Sequence, residues 1–234
     1  MYSNETLQKF NRKYNELHAE MRAAIQAGDV VKPTVSGGNK KIGRVLNVSL
    51  APIKTCANCS GCLHFCYDIK ACIAYPSCFR ARVKNTVLAL EHPELYYSGI
   101  IKRIAGADKA NRRAKVFRWH VSGDIPNMDY FDNMVRIAEM FPGWTFWTYT
   151  KNYILVNAWI AEHGRDALPK NLVIMFSEWA GMPMINPYGM PEFRCAMRPE
   201  DKPAGAHVCP GNCDICIKMH RGCLAGETTW VDLH

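Results

Sequence analysis

At 234 residues the chain suits one large domain, or one domain with a small appendage, and roughly 70% of its unfolded surface can be buried without covalent staples. Hydrophobic content of 48% and charged content of 21% exclude a disordered chain. The formal charge of +8, spread over "NRK", "KK", "KRIAGADKANRRAK" and "KMHR", admits nucleic acid or an anionic cofactor, though dispersed lysines on a solvated surface explain it more simply.

The N-terminus, "MYSNETLQKFNRKYNE", lacks the apolar core of a signal peptide, and no apolar run approaches the roughly 18 residues of a membrane span. A cytosolic protein is expected, with reduced thiols and no membrane contact. Eleven cysteines, an odd count, then point to metal rather than to a disulfide framework.

In chain order, residues 4–27 read as a helix, because Leu7, Phe10, Tyr14, Leu17, Met21 and Ile25 recur at spacings of three and four. Ser3 or Asn4 can cap its start and Gly28 stops it. "VSGGNKKIG" lacks the spacing and the Lys-Ser/Thr pair of a phosphate-binding loop and reads as a turn into the strand "RVLNVSLAP". A cysteine loop comes next, then helices over "SCFRARVKNTVLALEH" and "PELYYSGIIKRIAG". After these, strands "AKVFRWHVSGD", "WTFWTYTK" and "NLVIMFSEW" alternate with helices "NMDYFDNMVRIAEMF" and "YILVNAWIAEHG". That rhythm predicts a parallel sheet with its helices as crossovers. "EFRCAMR" and "AHVCP" are weaker strands, so the expected architecture is α/β, a partial (β/α) barrel of about six parallel strands. Three segments are expected: residues 1–33 as N-terminal helix and linker, 34–190 as the (β/α) core with the first cysteine loop, and 191–234 as a C-terminal cysteine-rich, cluster-binding extension.

The cysteines fall into two groups. Cys56-x2-Cys59-x2-Cys62-x3-Cys66 has the spacing of a bacterial ferredoxin cluster loop, with Tyr67 where that pattern has proline. Gaps this short let one loop wrap a compact cubane with successive sulfurs pointing inward. Four-cysteine zinc sites instead separate two CxxC knuckles by roughly 12–20 residues, so iron–sulfur is favoured over zinc. Cys209-x3-Cys213-x2-Cys216-x6-Cys223 forms a second four-thiol set, with Cys195 as a substitute ligand. Two clusters, of the 4Fe-4S type, are expected. Cys72 and Cys78 read as buried free thiols.

In parallel α/β folds chemistry gathers at the C-terminal strand ends. Those ends carry His120, Ser122, Gly123 and Asp124, then Thr148, Thr150 and Lys151, then Ser177 and Glu178. Each has a plain structural explanation: a turn cap for Asp124, an ion pair for Lys151 with Glu178, a satisfied core histidine for His120. Asp124, Lys151 and Glu178 are the catalytic candidates.

"CLHFCYD" at the end of a strand resembles the cluster loop of radical S-adenosylmethionine (SAM) enzymes. "CYDIKA", "RWHVSGD…YFDNMVRIAEMFP…TFWTYTKN" and "LPKNLVIMFSEW" together resemble the phage gene product 88 family over roughly residues 40–225. The resemblance implies Cys62 and Cys66 on the cluster, with Cys56 or Cys59 as a third ligand, and Tyr67 near an adenine. It implies Ser122, Gly123 and Asp124 at the methionyl amine, Ser177 and Glu178 at ribose or carboxylate, and the C-terminal thiols on an auxiliary cluster. It further implies a phage-encoded protein in the host cytosol, served by a reductase or ferredoxin as electron donor. Radical SAM loops run Cys-x3-Cys-x2-Cys with three ligands; here the order is reversed and a fourth thiol is present. Three readings follow: a SAM-cleaving enzyme, a non-catalytic or electron-transfer iron–sulfur protein with closed clusters, and a nucleic-acid-binding metal module in which Trp119, Trp144, Trp147 and Tyr149 stack bases.

Overall fold

The computed structural model describes residues 2–30, 32–110, 114–179, 182–196 and 198–232. Arg112 and Arg113 of the basic run lie outside the described residues. Helix α1 (Asn4–Gln26) is capped by the Ser3 hydroxyl, which accepts from the Thr6 N–H. Its stripe of Phe10, Tyr14, Leu17, Met21 and Ile25 is buried, and Phe10 stacks on Phe79 at 4.7 Å between ring centroids. The stripe is thus a docking face onto the domain, as its periodicity predicts.

Seven strands form one sheet: β1 (Leu46–Asn47), β2 (Val116–Arg118), β3 (Thr145–Thr150), β4 (Leu172–Ser177), β5 (Glu192–Ala196), β6 (His207–Val208) and β7 (Thr229–Asp232). The order is β1-β2-β3-β4-β5-β7-β6, and every pairing is parallel. The expected α/β class and parallel sheet are present. The strands number seven rather than about six, and among the described residues no pairing joins β6 to β1 to close a barrel. Residues 192–232 supply three of the strands, so the cysteine-rich C-terminus is part of the sheet.

Helices α3 (Pro76–Glu91), α4 (Pro93–Ala110), α5 (Met128–Met140) and α6 (Tyr153–His163) lie in the main core together with α1. Register divides the sheet into two faces. Phe117, Phe146, Ile174 and Phe176 lie with the helices. Arg118, Trp147, Tyr149, Met175 and Ser177 point to the opposite face by alternation. The floor of that face is a smaller apolar cluster of Val45, Val116, Trp147, Met175 and Cys223, against which Ile217 and Leu224 of the C-terminal segment pack. Trp119, Trp144 and Trp147 are all core residues at 0–3% exposure, so none is available to stack a base.

The strand expected over 44–52 shortens to two residues because β2 is interrupted. His120 takes φ +53°, which breaks the ladder and turns its ring inward. There Nδ1 pairs with Thr148 Oγ1 (3.0 Å) and Nε2 with the Tyr130 hydroxyl (3.1 Å). Burial, aided by the Arg118 charge, lowers its pKa to about 3, so it is the neutral, satisfied core histidine. Beyond this kink the segments still touch, through Leu50 N–H to the Ser122 carbonyl (2.9 Å).

Candidate metal centres

The first cysteine loop leaves β1 and lies across the C-terminal ends of the strands. Gly123 permits this: its φ is +81°, and a Cβ there would stand 2.6 Å from Thr55 Oγ1 and 2.7 Å from Leu50 Cβ. Asn58 Nδ2 ties the loop to the Lys151 carbonyl at 2.8 Å. Gly61 lies beneath Met182 and Trp179, and Phe65 meets Trp179 at 6.0 Å. The loop then enters α2 (Tyr67–Ala74), a helix whose residues the cysteine spacing had assigned to the loop.

Backbone N–H groups favour the thiolate at three of the four sulfurs. Ile53, a β-branched residue held at φ +70°, contributes at Cys56, and Cys59 is helped by its own amide. Cys66 is the N-cap of α2, and the amides of Asp68 and Ile69 favour its thiolate. Burial, then the charge of Asp124, pushes the Cys56 thiol well up, and ionised Cys66 and Cys59 push the same way. Cys59 and Cys66 are also raised, by burial first and with Cys62 contributing. Cys56 thus feels Cys59 and Cys66, and Cys59 and Cys66 feel Cys62. Gathering several thiolates here needs a cation among them.

At the second set, α7 (Cys213–Met219) carries Cys213 and Cys216, the turn Gly222–Ala225 carries Cys223, and Cys209 follows β6. The "VSGGNKKIG" turn supports this set. The Lys41 carbonyl accepts from Cys213 N–H at 3.1 Å, and Gly43 (φ +68°) leaves room for the Asp214 carboxylate. Burial raises Cys213 to about 11, with Cys223, Cys209 and Cys216 adding to the rise and Arg118 opposing it. Burial raises the Cys223 thiol, with the Thr229 and Tyr149 hydroxyls opposing the rise, and His207 Nε2 lies 3.9 Å from Cys216 Sγ. Among the described residues no three Cys, His, Asp or Glu side chains converge as a single ion would require. A cluster spreads its thiolates around a wider body than one ion, and sulfur-only sets are what such clusters take.

The remaining sequence-predicted residues are engaged within the protein. Ser122 donates to the Leu50 carbonyl (3.1 Å) and to Asp68 Oδ2 (2.5 Å). Asp124 Oδ1 accepts from Ile125 N–H (2.7 Å) and the Thr150 hydroxyl (2.6 Å), and Oδ2 accepts from Lys151 N–H (2.8 Å). Burial raises its pKa while these bonds oppose the rise. Lys151 Nζ donates to Ser177 Oγ at 2.9 Å, and the cation near Glu178 is Arg194, at 3.9 Å. The anticipated Lys151–Glu178 ion pair is therefore replaced by two separate contacts. Tyr67 is 62% exposed while its hydroxyl donates to the Val121 carbonyl. Cys195 feels Glu178, Asp232 and Lys151. Cys72 is buried, and Cys78 is half-buried against Arg82.

Two features escape sequence reading. Asp68 and Arg82 form a bidentate pair, Nε to Oδ2 and Nη2 to Oδ1, both at 2.5 Å, which joins α2, α3 and the end of β2. Arg118, a lone arginine within an apolar strand, points into the face that holds the second thiol set; register with Trp147 is the signal that places it there. Among the described residues no helix is long and apolar enough to cross a membrane.

A protein-family model described as Gene product 88 matches residues 11–181. The match takes in most of α1, which the resemblance had left outside, and stops before the second thiol set. No curated protein and no solved structure matches the chain.

Proposed function

Since the chain belongs to the gene product 88 family of phage proteins, we propose that it is a two-centre iron–sulfur protein of electron transfer, working in the cytosol of the host. Cys56, Cys59, Cys62 and Cys66 hold one cluster at the strand ends; Cys209, Cys213, Cys216 and Cys223 hold the other on the sheet face. Bound there, such clusters supply reversible one-electron storage. The observation that carries this reading is the state of the rim. Ser122 and Asp124, which the resemblance places at the methionyl amine of SAM, are engaged in internal hydrogen bonds, while beside them Cys56 lies in the field of Cys59 and Cys66.

The chain's own part is to prepare both sites. The backbone amides of Ile53, Asp68 and Ile69 favour negative charge on Cys56 and Cys66. Trp179 and Met182 cover the loop from one side. Phe65 (49% exposed) and Tyr67 stand open at its edge, where a ferredoxin or reductase would dock. The SAM-cleaving reading retains one observation, the open ring of Tyr67 directly after Cys66. Electron paramagnetic resonance (EPR) of the reduced protein distinguishes the two. With closed clusters the spectrum is unchanged by added SAM; a SAM-dependent shift would instead assign an open iron and an enzyme.

A further inference from the structure

Arg118 has no counter-charge. It sits on β2 opposite Trp147, its Nε is buried without a hydrogen-bond partner, and among the described residues no carboxylate pairs with it. Its guanidinium carbon lies 4.8 Å over the Tyr149 ring, and Tyr149 packs with Cys213 against the apolar cluster that contains Cys223. A cation half-buried in this way is costly to leave unpaired, and stacking on one aromatic offsets only part of that cost. The thiols of Cys213 and Cys223 share the face of the sheet toward which it points.

We propose that Arg118 is the built-in counter-ion of the second cluster, a positioning residue that raises that centre's reduction potential above what its four thiolates alone would give. This rests on the two-cluster reading. A four-thiolate centre carries net negative charge and gains one more electron on reduction, so a nearby fixed cation favours the reduced form. The path from Arg118 to the cluster runs across the Tyr149 ring, which packs on the same face of the sheet as Cys213 and Cys223. Among the described residues, the charges bearing on Cys56, Cys59 and Cys66 are carboxylates and neighbouring thiols. The two centres therefore differ in potential, with the second the better electron acceptor.

The test is an EPR-monitored redox titration of wild type, Arg118→Gln and Arg118→Lys, all loaded anaerobically. Cys209→Ala/Cys213→Ala identifies which signal belongs to the second centre. In Arg118→Gln the second centre is expected to become at least tenfold harder to reduce at fixed potential, about 59 mV for one electron. The first centre stays in place, and Arg118→Lys recovers part of the shift. An Arg118→Gln protein that loses the second cluster while Arg118→Lys keeps it also supports the role. Iron bound at the second set with an unmoved potential overturns the role of Arg118 and leaves the cluster reading standing. Absence of iron at that set in wild type overturns the cluster reading itself.

Discussion

Arg82→Leu is expected to destabilise the protein by about 3–5 kcal/mol in denaturant unfolding, the range for removing one partner of a buried ion pair. The Asp68 side chain is 2% exposed and that of Arg82 is 14% exposed. Both guanidinium contacts to the carboxylate are 2.5 Å, and Ser122 supplies a third donor. Removing the cation strands a carboxylate that water cannot reach. Replacing both charged residues, Asp68→Asn with Arg82→Leu, is expected to cost much less than the sum of the single changes, because no charge is then left unpaired. The pair also fixes α2 against α3 and β2, and with it the N-terminus that carries Cys66. Arg82→Leu should therefore lower cluster retention in the first set before the second. Unfolding within about 1 kcal/mol of wild type would show that Asp68 finds other partners.

Cys56→Ser tests the number of ligands in the first set. With four thiolates on one cluster, its loss is expected to remove that cluster and to bring iron and sulfide to about half the wild-type content, the second set being intact. A three-thiolate cluster on Cys59, Cys62 and Cys66 would survive the change with iron content nearly unaltered. The geometry favours the first outcome. Ile53, three residues before Cys56, is held at φ +70°, a costly conformation for a β-branched residue, and its amide favours the Cys56 thiolate. Backbone strain beside this sulfur fits a ligand role for Cys56.

Much of the fold is legible in the chain because its elements are periodic. The stripe on α1, and the alternation of β2, α5, β3, α6 and β4, follow from spacing alone, and the observed bounds of α1, α3, α5 and α6 lie within one residue of the expected ones. What is missed is short or disguised. Strand β7 has four residues and pairs between β5 and β6, an order that no local pattern encodes. Helix α2 hides inside "CYDIKAC", where Cys66 reads as a loop ligand. The site divides in the same way. Both four-thiol sets are visible as spacing, and the rim residues as strand ends. Their hydrogen bonds are not visible: Asp124 is satisfied by Thr150 and Lys151 from the next strand, and Ser122 by a helix residue 54 positions earlier. Arg118 is the clearest case. In "VFRWH" it looks like a surface residue, and only a sheet covered on both faces turns it inward.

The most direct measurement is the metal and acid-labile sulfide content of the wild-type chain after anaerobic purification. Two four-thiolate cubanes predict about eight irons and eight sulfides per chain, with the iron lost in two separable halves when either thiol set is changed to serine. Stoichiometric zinc without sulfide would contradict the account.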